Sequence, residues 1–253
     1  MKKVVILLKN GNDLDLIFKS YIHLKSHFGF DIVPIYIRDI AYRIPISETV
    51  LNSGGAAEIL NEMEDDFITQ IHNALKKYKI ETELLVQSEV GVDEIKTLLK
   101  TSDLLMLEQG TYLNDLFLEL LKITYRPVII LRNKPLTFEN ISIASNDGIK
   151  INKSVYNFLT LFPNLDINNI PVLLWNCNYE KHYLVELMKN KGFSADIINF
   201  NSKDDTLKDF YFALGKFNLV IMGNLSRSFL FEKITNRIGL NLLENLNTSI
   251  FIG

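Results

Sequence analysis

A glycine, two hydroxyls and an arginine stand together at Gly223, Ser226, Arg227 and Ser228, directly after an apolar run at 219–222 and ahead of a helical pattern at 233–246. Those residue types in a strand-to-helix loop suit an anion. The glycine lets the backbone approach, the helix start turns its amides outward, and the hydroxyls donate hydrogen bonds. Asn236, thirteen residues after Gly223, tolerates the left-handed backbone that a further turn would need. A second turn, Asp147-Gly148, follows the apolar run 141–145, and Val172 opens another apolar run at 172–175. In an open parallel sheet, ligands sit outside the carboxyl ends of the strands where the strand order reverses, and these segments end there. The competing reading of 223–228 is a plain strand-to-helix connection that holds nothing.

Other chemistry is weaker on the page. His23 and His27 are four apart on one helix, the spacing of a metal-ligand pair, but no HExxH pattern or neighbouring carboxylate completes a site, so a packed or solvent-facing pair is the expectation. Glu62, Glu64, Asp65 and Asp66 form an acidic patch on a long helix and read as a solvated face. The single cysteine, Cys177, reads as a small apolar packing residue and excludes an internal disulfide or a cysteine-based metal cluster. There is no nucleophile elbow of the G-x-S-x-G type and no Walker loop with its lysine. Net charge is −3, from 27 basic and 30 acidic residues mixed along the chain, so no polycationic surface is available to hold a nucleic acid. The apolar run near the amino terminus is short and is broken at 9–13, unlike a signal peptide, and no run reaches the roughly 18 residues of a membrane span. A cytoplasmic protein without a membrane partner is expected.

The elements that must position these residues alternate. Apolar runs at 4–8, 32–37, 103–107, where an Asp leads, and 127–131 read as strands of a buried parallel sheet, with a further strand at 83–87, and they are separated by helical patterns at 14–28, 56–78, 92–99 and 113–121. A long loop at 38–55 precedes the second helix. The polar, proline-containing stretch 133–137 marks a boundary between units 1–135 and 136–253. Strands at 141–145, 172–175, 196–200, 219–222 and 249–252 then alternate with helices at 151–161, 181–191, 206–214 and 233–246. The order strand, loop, helix, strand that begins at Asp103 recurs from Asn218, which suggests one fold used twice. Such alternation means right-handed crossovers onto a parallel sheet covered on both faces, an α/β architecture.

The Asp147-Gly148 turn and the 223–228 loop fall on the pattern of the universal stress protein family. Its unit has an Asp-Gly turn after the first strand and a G-x-x-G, nine residues, G-[S/T] loop after the fourth. The resemblance covers nearly the whole chain as a tandem pair, with Ser226 and Asn236 standing where the pattern has its second and third glycines. It implies two flavodoxin-like (adenine nucleotide alpha hydrolase-like) units, each a five-stranded parallel sheet of order 3-2-1-4-5. It also implies an intramolecular pseudo-dimer across the last strands, 128–131 against 250–252, and an apolar edge strand physically invites such a partner. In members that bind ATP the loop cradles the phosphates. By that resemblance Asp147, with Gly148, would lie near the nucleoside, a backbone group around Val172 near the base, and Gly223, Ser226, Arg227 and Ser228 near the phosphates, with Asn236 keeping the later turn.

The first half departs further. Asn10-Gly11 stands in place of the Asp-Gly turn, Glu108 in place of the first loop glycine, and neither Thr111 nor Leu121 restores the later ones. A carboxylate at that point repels a phosphate, so no nucleotide is expected there. The resemblance thus implies a stress-response sensor or adaptor, with ATP or another adenine nucleotide in the second unit only, no metal and no catalytic residue. Two rivals stay open: an interaction module with both sites decayed that docks an unknown protein partner through 38–56, and a weak ATPase. A homodimer of the whole chain is a further possibility.

Overall fold

In the computed structural model, residues 1–38, 54–87, 92–110, 115–145, 148–177, 183–223 and 238–253 are described. The loop 38–56 lies almost wholly outside them, as do Thr111, Asp147, Ser226, Arg227, Ser228 and Asn236.

The strands are β1 (Lys2–Leu8), β2 (Phe30–Ile37), β3 (Leu85–Gln87), β4 (Leu104–Glu108), β5 (Val128–Leu131), β6 (Ile141–Ser145), β7 (Val172–Trp175), β8 (Ile197–Phe200), β9 (Leu219–Met222) and β10 (Ser249–Ile252). The helices are α1 (Leu14–Phe28), α2 (Gly54–Lys77), α3 (Val92–Leu98), α4 (Asp115–Ile123), α5 (Ile149–Leu161), α6 (Tyr183–Asn190), α7 (Leu207–Leu214) and α8 (Ile238–Asn245). One sheet of ten strands runs in the order β3-β2-β1-β4-β5-β10-β9-β6-β7-β8. The order 3-2-1-4-5 therefore recurs in each group of five, and every pairing within a group is parallel. The groups meet through the one antiparallel pair, Ile250 opposite Ile130, Phe251 opposite Ile129 and Ile252 opposite Val128. Joining the two terminal strands removes the unpaired edge each would otherwise expose.

Burial on both faces explains why the strands read as unbroken apolar runs. Val4, Ile6 and Leu8 face a core shared with α1, α2, α5 and α6, while Val5 and Leu7 face one shared with α3, α4, α7 and α8. Local chemistry sets the helix ends. The Asp13 carboxylate accepts the Leu16 amide at 3.0 Å to open α1, and Gly29, at φ 68, closes it with its N–H on the Lys25 carbonyl. Thr206 and Asp209 form a reciprocal capping box at α7.

The segment between the groups is packed, not a loose tether. The Leu136 amide donates to the Ser20 hydroxyl at 2.9 Å, and that hydroxyl donates to the Leu16 carbonyl. The Phe138 ring meets Phe162 at 4.8 Å and Phe28 at 5.0 Å, and lies parallel to His23 at 5.7 Å. Phe158, Phe162 and Phe251 extend this aromatic cluster from α1 to β10, so rings from both groups share one core.

One sequence expectation changes, that for Glu64. His23 is half-buried against Phe138 and His27, within the packed or solvent-facing pair expected, and burial, then the neighbouring His27, holds its pKa below the ordinary imidazole value. Glu64 is not on a solvated face. It is fully buried, in helical register with Phe67 and Ile71, and lies 3.9 Å from the Arg38 guanidinium. Cys177 packs half-exposed against the core, as expected of a small apolar residue.

Candidate functional site

In each group the strand order reverses beside the first strand, between β1 and β4 and between β6 and β9. A crevice opens there at the carboxyl ends, faced by the N-terminus of the helix that follows the first strand. The two crevices are built from the same parts and finished differently.

In the second group, β6 and β9 run side by side with Ala144 opposite Met222. Gly148 is the N-cap of α5, in extended conformation at φ −83 and ψ 166, and supplies no side chain to cap the helix. Its carbonyl accepts the Asn152 amide at 3.3 Å and the Asn152 side-chain amide at 3.1 Å. Gly223 follows β9 and presses its backbone onto the first turn of α5. A Cβ on Gly223 would lie 3.1 Å from the Ile151 nitrogen, 3.2 Å from Lys150 Cβ and 3.3 Å from the Lys150 carbonyl carbon. Gly148 and Gly223 are thus brought together around the first turn of α5, whose leading amides have no acceptor inside the helix. The positive end of the α5 dipole faces the same point.

Val172 is not brought to this edge. It opens β7, with its amide on the Asp196 carbonyl at 2.8 Å, and is buried at the amino end of the strand. The residues at the carboxyl end are Trp175 and then Asn176, whose φ of 49 is left-handed and whose side chain accepts the Ser202 amide at 2.8 Å. Strand direction is the signal that would have pointed to them.

In the first group acidic side chains occupy the corresponding place. Asp13 caps α1, and the Glu108 carboxylate accepts the Asp13 amide at 2.7 Å. The turn beneath is closed by the Lys9 amide on the Asn12 side chain at 2.8 Å, with Gly11 left-handed at φ 81. Lys9 Nζ donates to the Gln109 side chain at 3.2 Å. Burial raises the Glu108 pKa, as does the charge of Asp13. The Asp13 amide, the Asn12 side chain and Lys9 oppose that rise. A small cavity lined by Leu7, Leu107, Phe117 and Leu120, together with Lys9, Glu108 and Gln109, lies at this crevice. Glu108 thus supplies from within the chain the negative charge that the start of α1 favours. Among the described residues no group of three or more His, Cys, Asp or Glu could hold a metal ion. Nor, among them, is any helix long and apolar enough to cross a membrane.

A universal stress protein from Archaeoglobus fulgidus DSM 4304 superposes with a TM-score of 0.65 at 11% identity, covering 98% of this chain and 95% of that one. The fold is that of the universal stress proteins. A putative universal stress protein from Pseudomonas aeruginosa UCBPP-PA14 gives a TM-score of 0.59 at 12% identity, covering 100% of this chain and 92% of that one. A functionally unknown protein from Pseudomonas aeruginosa PAO1 gives 0.58 at 12% identity with the same coverage. No protein-family profile and no curated protein matches the sequence. The universal stress protein fold therefore reaches across nearly the whole chain at 11–12% sequence identity.

Proposed function

We propose that this chain is a stress-response protein of the universal stress type, a sensor or adaptor that takes an adenine nucleotide, ATP in the first instance, in its second unit, 136–253. The first unit, 1–135, is degenerate and keeps no nucleotide. One observation carries the reading: the N-terminus of α1 is occupied by Asp13 and Glu108, whereas α5 begins at Gly148, which has no side chain of its own to cap it, with the Gly223 backbone held against its first turn. A helix start whose N-cap is a glycine, beside a loop whose sequence carries Ser226, Arg227 and Ser228, suits an anionic ligand. In this reading Arg227 supplies charge to the phosphates and the hydroxyls supply donors.

Calorimetric titration of the purified protein with ATP, beside an Arg227→Glu variant, tests it. Saturable binding of one nucleotide per chain, weakened in the variant, is the expected result. No heat at millimolar ATP would overturn the reading and leave the interaction-module alternative.

A further inference from the structure

Arg132 follows β5 and is 4% exposed, yet its charge meets no carboxylate among the described residues. Its guanidinium is satisfied by backbone carbonyls instead. Nε donates to the Gln109 carbonyl at 3.1 Å and Nη2 to the Gly110 carbonyl at 3.3 Å, while Nη1 and Nη2 reach the carbonyls of Leu246 and Leu243. The first two belong to the loop that leaves β4, and Gln109 also lines the cavity beside Glu108. The other two belong to the C-terminal end of α8, where carbonyls lack helical partners and the dipole favours a cation. The Arg132 amide is held as well, on the Ser249 hydroxyl at 3.2 Å. One planar fork thus ties the rim of the first crevice to the C-terminal end of α8.

We propose that Arg132 is a latch coupling the rim of the first crevice to α8 of the second group, so that a change at that rim alters the end of α8 through this guanidinium. Its rigid fork holds four acceptors in fixed relative positions, and a movement of Gln109 or Gly110 cannot be absorbed without displacing Leu243 or Leu246. The proposal does not rest on nucleotide binding, and its test needs no ligand.

The test is amide hydrogen exchange on the full chain in four forms: wild type, Glu108→Gln, Arg132→Met and the double variant. Glu108→Gln disturbs the first rim, next to Gln109, without touching the guanidinium. The expected result is faster exchange in peptides covering 238–247 on Glu108→Gln in the Arg132 background, by about fivefold, and no such response in the Met background. Changes confined to 9–16 and 105–110, or an equal response at 238–247 in both backgrounds, would overturn it. Should Arg132→Met not fold, Arg132→Lys keeps the charge and removes the fork. The single Glu108→Gln comparison still decides, since an unchanged 238–247 refutes coupling.

Discussion

Substituting Gly223 by alanine probes the close approach on which the second crevice depends. The new Cβ would sit 3.1 Å from the Ile151 nitrogen, 3.2 Å from Lys150 Cβ and 3.3 Å from the Lys150 carbonyl carbon. Favourable carbon contacts lie at about 3.5–4.0 Å, so the methyl arrives several tenths of an ångström too close. Two of its neighbours are backbone atoms of the first turn of α5, which yield only if the helix start shifts. Overpacking of this kind costs about 1–3 kcal/mol. The Gly223 backbone is not left-handed, so alanine adds no torsional strain there and recovers about 0.4–1 kcal/mol by restricting the unfolded chain. The net loss is about 1–2 kcal/mol. With a urea slope of about 3 kcal/mol per molar, the midpoint should fall by roughly 0.3–0.7 M. Gly110→Ala is the control, since a Cβ there meets nothing within 4 Å, and its midpoint should hold or rise slightly. The methyl also screens the Ile151 amide, so ATP affinity should fall together with stability. A Gly223→Ala protein as stable as wild type, with unchanged ATP affinity, would refute the claim that β9 and α5 require a glycine between them.

Three further outcomes follow from the same geometry. Phe138→Ala removes the ring that joins Phe28, Phe162 and His23 and should cost about 3–5 kcal/mol in urea unfolding; a loss under about 1 kcal/mol would mean that the inter-group segment is not part of the core. The Glu108 pKa is raised in the folded state, so its contribution to stability is full below the ordinary carboxylate range and is lost as pH rises through the folded value. Glu108→Gln should therefore gain on wild type as pH rises from the acid side, and the opposite slope would show that the Asp13 amide outweighs burial. The His23 pKa is lowered, so the native state holds the neutral ring, and stability falls as pH drops through the ordinary imidazole range. His23→Leu should flatten that part of the stability curve, whereas parallel curves for the two proteins would exclude His23 as its source.

Much of the fold was legible because the inner strands are buried on two faces, which leaves an unbroken apolar run such as Val4 to Leu8, the mark of a strand inside a parallel sheet. Helix ends were readable where a single residue decides them, as at Gly29. The outer strand β3 was harder. It pairs over Leu85–Gln87 only, with Val86 exposed, so the burial pattern that marks inner strands is missing. The site was legible in part. Gly223 could be placed because backbone approach demands glycine, whereas Val172 begins its strand, away from the carboxyl edge. The carboxylate of Glu108 in place of a loop glycine was visible, but not that it accepts the Asp13 amide from 95 residues away. Arg132 left no signal, since its partners are backbone carbonyls that any residue type carries, two of them more than 100 residues distant.

The most direct test of the central claim is photo-crosslinking with an azido-substituted ATP, followed by mapping of the labelled peptides. The account predicts ATP-protectable label in the second unit alone, around 148–151 and 223–228, and none around 9–13 or 107–110. Label in the first unit, or label that excess ATP does not suppress, would contradict it.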